Sequence, residues 1–277
     1  MDQTKKGYLK MRLDRPDLRV REYLSQFTAD QPLLPLTHLT NMYGFRSIMT
    51  GMTLDPTDCS VFREKLLYLF YGRPAYRAMQ SPTAKLKWNV PVGFILKPEA
   101  IDHIKRVLPF DSGAFAKDLY SDVFSRESKV QHFMLEPNLE SAAVCVKAFF
   151  GNNANYFRGN SEQVHELDNF DFELQGMEYL SRLPGVQAAK FDGSVDERAS
   201  AIEVQVEKPI TLDDALLGMI VPETMMASKH FKKAIETWNL SPDRVSPYVE
   251  IVGPGSEAWV GIFYEKVREL YENHGYL

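Results

Sequence analysis

The sequence predicts an α+β protein with an antiparallel or mixed sheet. Three observations carry that prediction. Apolar runs of strand length recur between residues 36 and 254. Within residues 201–210, Ile202, Val204 and Val206 alternate with Glu203, Gln205 and Glu207, a period of two. From Ser256 onward, Trp259, Ile262, Phe263, Val267 and Leu270 fall on one stripe of a helix.

The elements follow in order. The first thirty residues are mixed in charge and locally basic, with Lys5, Lys6, Lys10, Arg12, Arg15, Arg19 and Arg21. They read as a solvated helix or arm packed on the body; the sharper alternative is an arm that touches a polyanionic substrate. LTHL, from Leu36, is a short strand. Thr40 or Asn41 can cap a helix in which Met42, Phe45, Ile48 and Met49 recur at helical spacing, and Gly51 suits the position after its end. LLYLFYGRPAYR, residues 66–77, is an apolar strand that runs into Gly72, Arg73 and Pro74. VPVGFIL, residues 90–96, is a buried strand closed by Lys97-Pro98. Residues 99–185 read as a long, partly helical insertion, with a strand at VQHFML (130–135) and a polar loop, GNNANYFRGNSEQ. VQAAKF (186–191), AIEVQVEKPI (201–210), LLGMIVP (216–222) and YVEIVGP (248–254) read as strands. No change of composition marks a boundary, so residues 31–277 read as one domain behind the arm of residues 1–30.

A chain of 277 residues, 44% apolar and 25% charged, can bury a full core. The net charge of -5 argues against a generally basic nucleic-acid-binding surface but leaves room for a local groove. Two cysteines, Cys59 and Cys145, have no CxxC spacing, so the expectation is two unpaired buried thiols and no thiolate zinc site. The beginning has no apolar signal-peptide core, and every apolar run is shorter than a membrane span. The expected location is the cytoplasm, with no membrane partner.

The common chemical motifs are absent. There is no GxGxxG, GxxxxGK[ST], GxSxG or HExxH, and none of the six histidines pairs with another at ligand spacing, so no metal is expected. Three separated pieces remain: His38 just before a helix, Tyr71 and Arg73 after an apolar strand, and Glu203 on a late strand. Singly, each has an ordinary explanation as core, turn and solvated face.

Taken in this order, LTHLTN, LFYGRPAY and AIEVQVEKPI through LLGMIVP resemble the ADP-ribosyltransferase fold. Within it they are similar to the DarT-type branch, whose members modify nucleic acid. The resemblance covers about 100 residues in three blocks and omits the insertion. It implies a split antiparallel or mixed sheet with flanking helices and NAD, as substrate, in a cleft. Chemistry at the nicotinamide–ribose bond passes through an oxocarbenium-like transition state. The resemblance then implies Glu203 as the carboxylate that stabilises it, His38 with Thr40 on the ribose, Tyr71 or Tyr76 stacked on nicotinamide, and Arg73 on the pyrophosphate or the acceptor. Enzymes of this fold that modify protein arginine carry a second glutamate two residues before the catalytic one; here Ala201 stands there. The implied acceptor is DNA or RNA. The implied setting is a toxin or anti-phage effector, with an antitoxin or chaperone as partner. An NAD glycohydrolase and a non-catalytic NAD-fold binding module are the alternatives.

Overall fold

The computed structural model describes residues 16–75, 86–161, 163, 165–186, 200–250 and 256–277. Helix α1 (Pro16–Leu24) opens on a proline, whose fixed φ suits a first helical position. Strand β1 (Leu36–Asn41) runs directly into α2 (Met42–Gly51), and the Asn41 side chain caps it by accepting the Gly44 N–H at 2.9 Å. Gly51 is the last helical residue, not the one after it; Met52, at φ 55, closes the helix. Then come β2 (Thr53–Leu54), β3 (Thr57–Cys59), β4 (Glu64–Tyr71), β5 (Pro91–Leu96) and β6 (Ile104–Leu108). The helices α3 (Ser112–Phe115), α4 (Leu139–Phe150), α5 (Asn153–Arg158) and α6 (Phe172–Val186) follow. The last part holds β7 (Glu203–Val206), β8 (Ile210–Thr211), α7 (Leu212–Ala215), β9 (Leu216–Pro222), α8 (Lys229–Thr237), β10 (Val245–Tyr248) and α9 (Ser256–His274). The described strands make a mixed sheet of eight and a separate pair, β2 with β8. The chain is an α+β protein.

It divides into two compact units, each built from two stretches of sequence. The first comprises Met1–Leu33 and Lys105–Val204. Its core is aromatic: Phe110, Phe115, Tyr120, Phe124 and Phe133 meet with ring centroids 4.6 to 6.4 Å apart. Helix α1 is tied into this unit. Arg19 is buried, donates to the Phe170 carbonyl and lies 4.0 Å from Glu173. Arg21 donates to the Met134 carbonyl at 2.9 Å and pairs with Glu136 at 3.0 Å. The other basic residues of the arm, up to Arg15, lie outside the described residues.

The second unit comprises Leu34–Ile104 and Gln205–Leu277. Its strands lie in the order β10-β9-β5-β1-β4. Every residue of β5 is buried, which explains its unbroken apolar run. β1 pairs antiparallel with β5 from Leu36↔Leu96 to Asn41↔Pro91, but with β4 only at Leu36↔Tyr71 and Thr37↔Phe70. β10 runs parallel to β9, which makes the sheet mixed. Helix α9 packs its stripe on β5 and β9 where both strands carry glycine. A Cβ at Gly93 would stand 2.6 Å from the Phe263 ring, and one at Gly218 would stand 2.4 Å from Leu270.

Four expectations need correction. VQHFML is no strand: Val130–Phe133 is a 3-10 turn that places Phe133 in the aromatic core. GNNANYFRGNSEQ is not all loop, because Asn152 caps α5 and Gly159, at φ 70, ends it. AIEVQVEKPI is two short strands, β7 and β8, parted around Pro209. YVEIVGP contributes only its first residue to β10, and residues 251–255 lie outside the described residues, as does nearly all of VQAAKF.

Candidate active site

LLYLFYGRPAYR resolves into β4 and a sharp turn. The Arg73 N–H donates to the Tyr71 carbonyl at 2.8 Å, which closes a three-residue turn on Gly72. Gly72 has φ 69, a conformation in which a side chain is strained. Its N–H donates to the Pro35 carbonyl at 2.9 Å, and the Thr37 hydroxyl donates to the Arg73 carbonyl at 2.8 Å. Pro35, just before β1, and Thr37, within it, therefore both hold the turn. The Tyr71 ring is fully enclosed, and its hydroxyl accepts the Leu34 N–H at 3.0 Å. Arg73 Nε donates to the Tyr264 hydroxyl of α9 at 2.9 Å, with the guanidinium 5.9 Å from that ring's centroid.

His38 stands where the β1–β4 ladder stops. Its Nδ1 lies 2.9 Å from the Tyr68 carbonyl oxygen. A carbonyl can only accept, so Nδ1 carries the proton and Nε2 of a neutral ring is an acceptor. Burial lowers the pKa of His38, against an opposing pull from the Tyr68 carbonyl. The ring is thus held neutral. Thr40 follows on the same side of the strand, and its hydroxyl fills the space left at Gly44, where a Cβ would stand 2.4 Å away.

Glu203 belongs to the first unit. The alternation that put it on a wet face misleads: all four residues of β7 are buried, Glu203 and Gln205 included. Ser112 binds both oxygens of its carboxylate. Oε2 accepts the Ser112 N–H at 3.0 Å, and Oε1 accepts the Ser112 hydroxyl at 2.7 Å. One residue earlier, the Ile202 N–H donates to the Tyr156 hydroxyl at 2.9 Å.

His38, Thr40, Tyr71 and Arg73 come together on β1, β4 and the turn after it, within the second unit. Glu203 has its setting in the first. Tyr76 lies outside the described residues. Sequence reasoning missed Tyr68, Tyr264 and Ser112, since each acts across long separations: 30, 191 and 91 residues. Among the described residues, no group of three or more His, Cys, Asp or Glu side chains could hold a metal ion. No described helix is long and apolar enough to cross a membrane. Cys59 and Cys145 are both buried free thiols. No protein-family model, curated protein or solved structure matches this chain.

Proposed function

We propose that this protein is an NAD-dependent mono-ADP-ribosyltransferase that breaks the nicotinamide–ribose bond and transfers ADP-ribose to DNA or RNA. The observation that carries the reading is Glu203, a buried carboxylate fixed through both oxygens. An oxocarbenium-like transition state needs a preorganised anion in a dry setting, which costs no reorganisation when the charge develops. His38 supports the same chemistry. A neutral imidazole with Nε2 as acceptor can take a hydrogen bond from a ribose hydroxyl and fix the donor's pose. Thr40 joins it there. Arg73 supplies a guanidinium for pyrophosphate or acceptor, exchanging its Tyr264 contact for the ligand. The enclosed ring of Tyr71 serves as the base of the turn, which counts against it for stacking on nicotinamide; the other candidate, Tyr76, lies outside the described residues. Ala201, in place of a second glutamate, favours a nucleic acid over protein arginine as acceptor. In the cell this activity is that of a cytoplasmic toxin or anti-phage effector, restrained by an antitoxin or chaperone.

Incubation with labelled NAD and separate pools of DNA, RNA and protein tests the proposal. Label on a nucleic-acid pool supports it. Loss of NAD with no labelled macromolecule points to a glycohydrolase on the same fold. Intact NAD in every pool rejects both.

One observation favours a non-catalytic binding module. Tyr71, Arg73 and Glu203 are only 0, 3 and 1% exposed, as packing residues are. NAD binding with no NAD turnover, in wild type and Glu203→Gln alike, decides for that reading.

A further inference from the structure

We infer that Ser112 is the positioning residue of Glu203. The segment that the family resemblance leaves unassigned, residues 99–185, then supplies the group that aims the carboxylate. The inference rests on the reading of Glu203 as the catalytic carboxylate.

Two bonds from one residue to the two oxygens of a carboxylate fix both its distance and the rotation of its plane. Ser112 provides both, one from its backbone N–H and one from its hydroxyl. Alanine or glycine would keep only the first. Ser112 is in turn held by packing that does not depend on Glu203. It is fully buried at the start of α3. The Asp111 carboxylate, one residue before it, accepts the Ala114 N–H at 2.6 Å. The Phe110 and Phe115 rings flank this turn and stack, with centroids 5.4 Å apart and planes at 14°. Phe124 and Phe133 close around them at 5.4 and 5.0 Å from Phe110. The dependence therefore runs from the aromatic core through Ser112 to Glu203. Tyr156 of α5 steadies the strand beside it through the Ile202 N–H. Both supports come from the same segment, so its helices form the mount of the carboxylate.

The test is steady-state NAD cleavage by the full chain, with Ser112→Ala, Ser112→Thr, Glu203→Gln and the Ser112→Ala/Glu203→Gln double variant. Circular dichroism checks each fold. Ser112→Ala is expected to lower kcat by about 10- to 100-fold, the size of one lost hydrogen bond to a charged group, with KM within about twofold. Ser112→Thr, which keeps the hydroxyl, is expected to recover most of the rate. In the Glu203→Gln background Ser112→Ala is expected to change kcat little, because no carboxylate remains to aim. A purely structural role would make the two effects multiply. If Ser112→Ala does not fold, Ser112→Cys replaces it, and an unchanged kcat there overturns the inference. An active wild type whose kcat survives Ser112→Ala overturns the inference alone. An inactive wild type, or a fully active Glu203→Gln, overturns the reading of Glu203 and the inference with it.

Discussion

His38 donates from Nδ1 to the Tyr68 carbonyl at the point where β1 and β4 cease to pair, 2.9 Å apart. A side chain continues the ladder that the backbone gives up. This bond decides which ring nitrogen carries the proton, and it leaves Nε2 as the acceptor that the proposed donor site needs.

The same histidine predicts a pH dependence. Burial lowers its folded pKa below the ordinary value of 6.5. Between those two values the unfolded chain binds more protons, so stability rises with pH through that window. It is greatest above about pH 6.5 and falls as the pH drops toward the depressed folded value. Denaturant midpoints at pH 7.5, 6.5 and 5.5 are expected to fall less for His38→Gln than for wild type. Parallel curves would show that His38 is not the group responsible.

Glu203 separates shape from charge. Glutamine can accept the Ser112 N–H and donate to its hydroxyl, so Glu203→Gln is expected to melt near the wild-type temperature while NAD cleavage falls by about 10²- to 10³-fold. Glu203→Ala leaves buried Ser112 donors without this acceptor and is expected to cost about 1–3 kcal/mol in urea unfolding. A Glu203→Ala protein as stable as wild type would contradict the observed hydrogen bonds.

The glycines of the sheet and of α9 give opposite expectations. Gly93→Ala drives a methyl into the Phe263 ring and is expected to destabilise by about 1–3 kcal/mol. Gly261 lies inside α9, exposed, and a methyl placed there would meet nothing within 4 Å. Gly261→Ala is expected to stabilise by about 0.5–1 kcal/mol. Equilibrium unfolding of the two variants measures both signs together.

Cys145 is expected to be inert. Burial pushes its thiol up to about 12. At pH 8 roughly one molecule in ten thousand then carries the thiolate that reacts. A maleimide or disulfide reagent should leave it unmodified in the native protein and label it only after unfolding, which mass spectrometry of the peptides reads directly.

Much of this molecule is legible in its sequence because local rules govern it. Asn41 caps α2, the apolar run at 91–96 is a strand buried on both faces, and the Trp259–Val267 stripe is the inner face of α9. The misreadings arise where burial overrides a local pattern. Alternation implies one wet face, but β7 is enclosed on both, so Glu203 and Gln205 needed buried settings that no spacing announces. Phe133 turns a strand-like run into a 3-10 turn because five aromatic rings gather there. Ser112 meets Glu203 across 91 residues, and its neighbours in sequence carry no mark of that partnership.

Each unit is assembled from separated stretches of chain, and that sets the order in which a ribosome can complete them. The first unit has all its residues once Val204 has been made. The second must wait for β9, β10 and α9 at the far end. Until β9 arrives, the edge of β5 that will receive it is open, and β5 is apolar throughout. A nascent chain that ends at Val204 therefore holds every residue of the first unit but only an incomplete, apolar-edged part of the second, the stage at which it most needs protection from aggregation.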